Sequence, residues 1–130
     1  MSNIIKSYRD LVVWQKGLEL IGEVDHIVDS FAPYHRWSLG MQMHRAAFSI
    51  VLNIAEGHDH DFSRVYLRHL ADAKGSAREV EAAVFVARHR NYLADAKTAP
   101  ALKLLDEMGR MLRSLSDRVA RNSGNRGRLL

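Results

Sequence analysis

The chain contains no cysteine. That excludes disulfide staples, thiolate metal centres and cysteine nucleophiles. Only 2 prolines occur in 130 residues, and both sit between periodic segments, so neither breaks a helical run from inside. Aromatic residues make up 8%, and most fall on core stripes, so base stacking on exposed rings is not expected. The apolar runs are a handful of residues long, far short of the ~20 needed to span a bilayer. The opening MSNIIKSYRD has no long apolar core and no small-residue cleavage site, which predicts a cytoplasmic protein without a secretory signal. No stretch alternates apolar and polar residues in the manner of a half-buried strand.

What is present is the mix of a soluble globular domain: 47% hydrophobic and 26% charged residues. A chain of this length buries roughly two-thirds of its unfolded surface, so it needs no metal or disulfide to fold. Charge is unevenly spread. Residues 1–60 carry 5 basic and 7 acidic residues, net −2, and residues 61–130 carry 14 basic and 8 acidic, net +6. The excess is mostly arginine, 14 Arg to 5 Lys, whose planar fork of donors suits phosphate and carboxylate. A basic half fits a nucleic-acid partner, and equally fits a solvated helix face rich in arginine.

Apolar periodicity predicts four helices. The first spans about Ser7 to Ser30, with a stripe of Leu11, Trp14, Leu18, Ile21, Val28 and Phe31 and a capping box from Ser7 to Asp10. The second spans about Ser38 to Glu56, with Leu39, Met43, Ala46, Ala47, Ile50 and Ile54 inward, Ser38 as N-cap and Gly57 just past the end. The third spans about Asp61 to Asn91, capped by Asp59 or Asp61. Its stripe runs from Phe62 and Tyr66 through Leu70, Ala73, Ala77, Val80 and Val84 to Ala87, with Arg64, Arg68 and Arg78 on the opposite side. The fourth spans about Thr98 to Val119, with Thr98 as cap and Pro100 in the first turn. It faces inward with Leu105, Met108, Leu112, Leu115 and Val119, and Lys103, Arg110, Arg113, Arg118 and Arg121 share its outer arc. The expected fold is all-α, an antiparallel up-down four-helix bundle over residues 1–120, with 121–130 as a mobile basic tail.

The third helix carries further apolar residues on a flank. Leu67, Ala71, Phe85 and Tyr92 form either an oligomer interface or the edge of a wide arc facing two neighbouring helices. Asn53 is expected to make an inter-helix hydrogen bond. Glu56 lies at a helix C-terminus, where negative charge is unfavourable, so it should pair with a cation such as Arg9, Arg45 or Arg78. Gly75 and Ser76 interrupt the third helix, which suggests close approach of another helix. The loop His58, Asp59, His60 and Asp61 offers metal-ligand types, but neighbours in a loop reach one ion poorly. No metal, cofactor or small-molecule substrate is expected. Neither Glu79 nor Glu107 has a histidine three residues on, as a carboxylate-bridged di-iron bundle would need.

The segments YRDLVVWQKGLEL, QMHRAAFSIVLNIAEG and GSAREVEAAV stand in order along the chain. Together they resemble the four-helix-bundle family associated with intervening sequences of 23S ribosomal RNA. The resemblance rests on Asp10, Leu11, Val13 and Trp14; on Gln42, Arg45 and Ala46; on Asn53 to Glu56 and Gly57; and on Gly75, Ser76 and Glu79. It covers about Tyr8 to Leu115. Val51 and Leu52 depart from the smaller or polar residues usual there, and the HDHD loop departs from a more basic one. The resemblance implies a small cytoplasmic bundle, often a ring-shaped pentamer, with no catalytic activity. It also implies kinship to the accessory variability proteins of diversity-generating retroelements, which work with a reverse transcriptase and RNA.

Two functions follow as expectations. One is a non-enzymatic homo-oligomer that meets RNA or a nucleoprotein through Arg64, Arg68, Arg78, Arg110, Arg113, Arg118 and Arg121. The other is an oligomeric protein-protein adaptor with no direct nucleic-acid role.

Overall fold

A computed structural model describes residues 4–129, with side chains as far as Asn122. Four long helices carry the fold: α1 (Val12–Ser30), α2 (Met41–His58), α3 (Ser63–His89) and α4 (Ala99–Leu129). No strand occurs among the described residues. Helix α1 packs on α2 and α4, and α3 packs on α2 and α4, so the four close into an antiparallel bundle. The α2–α3 contact is the most extensive. The core runs along the shared axis through Leu20, Ile27, Met43, Ile50, Leu70, Val84, Met108 and Leu112.

The chain enters through a single 3-10 turn at Tyr8–Asp10. The Ser7 capping box forms there: Ser7 Oγ accepts from the Arg9 amide, and the Asp10 carboxylate accepts from the Ser7 and Lys6 amides at 3.2 and 2.9 Å. Those two amides hold the Asp10 carboxyl below its usual range. Lys16 Nζ then ties α1 to α4 by an ion pair with Glu107 at 2.9 Å. The pair raises the Lys16 ammonium and lowers the Glu107 carboxyl from their ordinary values.

Several local expectations need correction. Of the expected α1 stripe, Leu11, Val28 and Phe31 are buried and Trp14 and Ile21 pack on the core, but Leu18 is exposed. The buried face also takes in Val13, Gly17, Leu20, Val24 and Ile27, because α1 comes close to α2: a Cβ on Gly17 would collide with Val51 Cγ1. Phe62 is 70% exposed rather than part of the α3 stripe. It is the N-cap, in extended backbone with no side-chain cap bond, so neither Asp59 nor Asp61 fills that position. Its carbonyl accepts from the Val65 and Tyr66 amides, both at 3.1 Å. Ser38 is no N-cap either. Helical turns begin at Pro33–His35, widen to a π-helical turn at Arg36–Gly40 and run straight into α2. The Thr98 hydroxyl donates back to the Asp95 carbonyl and accepts from Arg88 Nε, so it braces the α3–α4 connection.

Helix α3 stops on Asn91, whose φ of 59° is left-handed. The Tyr92 amide bonds the Ala87 carbonyl and the Asn91 amide bonds that of Arg88, a Schellman end. Gly57, expected in that role for α2, lies inside the helix with no positive φ. Helix α4 continues into the stretch 121–130 that the sequence suggests is a tail; the side chains from 123 and residue 130 itself lie outside the described residues.

Glycine roles are also redistributed. Gly75 faces open space, with nothing within 4 Å of where a Cβ would stand. The tight helix approach is at Gly57, where a Cβ would meet His69 Cβ at 2.7 Å and Tyr66 Cδ1 at 2.9 Å. Gly75→Ala should therefore stabilise by up to about 1 kcal/mol through helix propensity. Gly57→Ala should destabilise by about 1–3 kcal/mol through overpacking. Urea titrations of both variants check the opposite signs; equal effects would contradict this packing.

Candidate nucleic-acid interface

A groove of about 480 Å³ runs between α3 and α4. Its floor is small or apolar: Ala77, Leu105, Gly109 and Leu112. Its walls are charged, with Lys74, Arg78 and Glu81 from α3 and Asp106, Arg110 and Arg113 from α4. Arg78 pairs with Glu81 at 3.5 Å, one turn on, and Arg110 hydrogen-bonds Asp106. Lys74 and Arg113 pair with no carboxylate among the described residues. Four cations against two anions leave the walls at +2.

The structure thus brings together three of the seven predicted arginines: Arg78, Arg110 and Arg113. Arg64 and Arg68 are exposed on the first turns of α3, and Arg121 is exposed on α4. Arg118 lies on the other side of α4, lining the α1–α4 groove with Ile5, Asp10 and Met111. Sequence reasoning missed Lys74, although its position four residues before Arg78 was the available signal.

The expected apolar flank divides. Leu67 packs against the core, and Tyr92 lies between two rings, stacked on His35 at 3.7 Å and edge-on to Phe31 at 5.7 Å. Both are partly buried within the chain. Ala71 is exposed, and Phe85 is 50% exposed under the Arg88 guanidinium at 5.7 Å. A second apolar strip lies on α2, where Phe48 and Leu52 are about half exposed between Arg45 and Glu56.

Asn53 and Ser76 both bond Ser49 in the α2–α3 seam. Ser76 Oγ donates to Ser49 Oγ at 2.8 Å, across the two helices. Asn53 Nδ2 donates to the Ser49 carbonyl at 2.9 Å and to its hydroxyl at 3.2 Å. That leaves Asn53 Oδ1 as acceptor for His69 Nδ1 at 3.0 Å, so the His69 hydrogen sits on Nδ1. Glu56 lies 3.7 Å from the same nitrogen. Glu56 forms no ion pair with Arg9, Arg45 or Arg78 among the described residues, and the group it approaches is His69. Ser49 and His69 have no counterpart in the sequence-based site. Gln42, Arg45 and Glu79 are exposed. In the HDHD loop, His60 stacks on His69 at 5.6 Å and His58 meets the Tyr66 edge at 5.8 Å. Among the described residues no three metal-ligating side chains converge.

The model of the 23S rRNA-intervening sequence proteins matches residues 9–114. The chain belongs to that family. No curated protein shows a significant match to it. The matched region ends within α4, just after Arg113, so the family's span includes the whole α3–α4 groove and the α2–α3 polar seam. No helix among the described residues is long and apolar enough to cross a membrane.

Tyr66 lies beneath this seam with a buried hydroxyl that has no hydrogen-bond partner. Burial pushes its phenol up to about 12. Because the folded value is raised, the neutral ring's contribution is present below pH 10 and is lost as pH rises through about 12. An alkaline absorbance titration should show this late ionising step, and Tyr66→Phe should remove it. Since the lost hydroxyl is unpartnered, the same variant should not lower the melting temperature.

Proposed function

We propose that this protein is a non-enzymatic, cytoplasmic RNA-associating module that works as a homo-oligomer. The observation that carries the reading is the α3–α4 groove, whose walls hold Lys74, Arg78, Arg110 and Arg113 over a shallow apolar floor. Guanidinium and ammonium groups on two facing walls suit holding a polyanion. Guanidinium forks take phosphate oxygens two at a time, so such a groove follows a backbone without reading bases. The exposed Arg64, Arg68 and Arg121 extend the field, with Arg118 contributing from the α1 side. The family description, with its reference to ribosomal RNA, agrees with this chemistry.

A single copy is only modestly charged. Assembly multiplies that charge, and a pentameric ring is the expected size. The contact strip is assigned to Phe48 and Leu52 on α2, bracketed by Arg45 and Glu56, with Ala71 and Phe85 on α3 as a second face. The strip also favours an alternative reading, in which the assembly is a protein adaptor without a nucleic-acid role.

Binding of nuclease-treated protein to a structured RNA across a salt series tests the proposal. Binding at micromolar or tighter affinity near physiological salt is expected, with a log–log slope that grows with each phosphate held. Arg78→Glu/Arg113→Glu should weaken binding more than tenfold and flatten the slope. Absence of binding even at low salt favours the adaptor. Light scattering tests assembly: Leu52→Glu should shift the protein to a smaller species at an unchanged helical content.

A further inference from the structure

We propose that the corner between α1 and α2 is a stacking platform for unpaired RNA bases, centred on Tyr34 and Trp37. The inference rests on the RNA reading above and adds the class of RNA the protein takes. Tyr34 and Trp37 are 79% and 76% exposed, the two most exposed aromatic rings among the described residues. Base stacking is not expected from the sequence because most aromatic residues fall on core stripes, but these two fall between the first and second apolar stripes.

The corner is held rigid from beneath. Phe31 is fully buried, and the Tyr92 ring meets it edge-on. His35 stacks flat on Tyr92 at 3.7 Å and 12°, and Tyr34 meets His35 edge-on at 5.5 Å. A ladder of four rings therefore leads from the core to the surface. Arg36 clamps the backbone: its Nε donates to the Phe31 carbonyl at 3.0 Å and its Nη2 to the Asp29 carbonyl at 2.8 Å. The π-helical turn Arg36–Gly40 then seats against α1, where a Cβ on Gly40 would meet Val28 at 2.8 Å. Rings ordered before contact lose little freedom when a base stacks on them.

The surroundings favour a nucleic acid. Tyr92 brings the connection after α3 to the same end of the bundle. Segments 29–37 and 88–98 together hold Arg36, Arg88, Arg90 and Lys97 against Asp29 and Asp95, net +2 (4 − 2). Arg88 is engaged with Thr98 and lies 3.8 Å from Asp95, while Arg90 and Lys97 are exposed. Exposed aromatic faces beside free cations are what single-stranded nucleic acid recognises: the rings take the bases and the cations take the phosphates. A duplex hides its base faces within its own stack, so only unpaired bases can use the platform. Every base has a π-face, so the contact is tolerant of sequence.

The test uses a twelve-nucleotide single strand of uridines and a blunt-ended, fully paired RNA duplex, both fluorescently labelled. In a Trp14→Phe background the tryptophan emission belongs to Trp37, and the single strand should quench it. Tyr34→Ala/Trp37→Ala should weaken single-strand binding about tenfold or more. Duplex affinity and the salt slope should stay as in the parent, because neither ring carries charge. Unchanged single-strand affinity with duplex binding intact overturns the platform and leaves the groove reading standing. Loss of both RNAs from the unaltered protein overturns the groove reading, and the platform with it. A change of oligomer size in the double variant assigns the rings to contact between copies and also overturns the platform.

Discussion

The close approach of α2 and α3 is the constraint on which the rest of the structure depends. Gly57 lets the backbones come together, and the space is then filled by Tyr66 and His69. A purely apolar seam would tolerate slipping by a turn. This one carries Ser49, Ser76, Asn53 and His69 in a connected set of hydrogen bonds. A one-turn slip would take His69 away from Asn53 and leave Asn53 Oδ1 unpaired in a half-buried site, at a cost of about 1–3 kcal/mol. The polar set thus acts as a register mark. Once α3 is fixed against α2, its basic flank turns toward α4, and the groove follows.

The four helices were readable because apolar residues recur at helical spacing and no long loop interrupts them. The α4 stripe from Leu105 to Val119 is buried as expected. Helix α1 was harder, since its apolar residues fill two overlapping stripes. Both stripes contribute buried residues, and the close contact of Gly17 with Val51 turns the helix so that Leu18 is left outside. Val51, a departure from the family pattern, is the residue that fills the space Gly17 leaves. Leu52, the other departure, points outward instead. Helix ends were less legible: the third helix starts on Phe62 rather than on an aspartate cap, and the second runs on through Gly57, whereas the third ends near Asn91 as expected.

The candidate site was only partly readable. Spacing on one helix shows which arginines share a side, but not which side meets a neighbouring helix. Arg110 and Arg118 both fall on the outer arc of α4, yet they line grooves on opposite flanks. Glu56 was expected to find an arginine and finds a histidine from across the seam. Tyr92, read as part of either an oligomer interface or a wide arc facing neighbouring helices, packs between His35 and Phe31. Each difference arises from pairwise geometry between helices, which a single-helix projection omits.

An even number of antiparallel helices returns the chain to the end at which it began. The first turn at Tyr8–Asp10 and the α4 turn around Leu115 and Arg118 sit side by side. The Arg36 clamp and Trp37 lie at the opposite pole. A surface tether on the Arg118 side of the bundle therefore leaves the aromatic corner facing solution, an orientation that suits immobilised-ligand measurements.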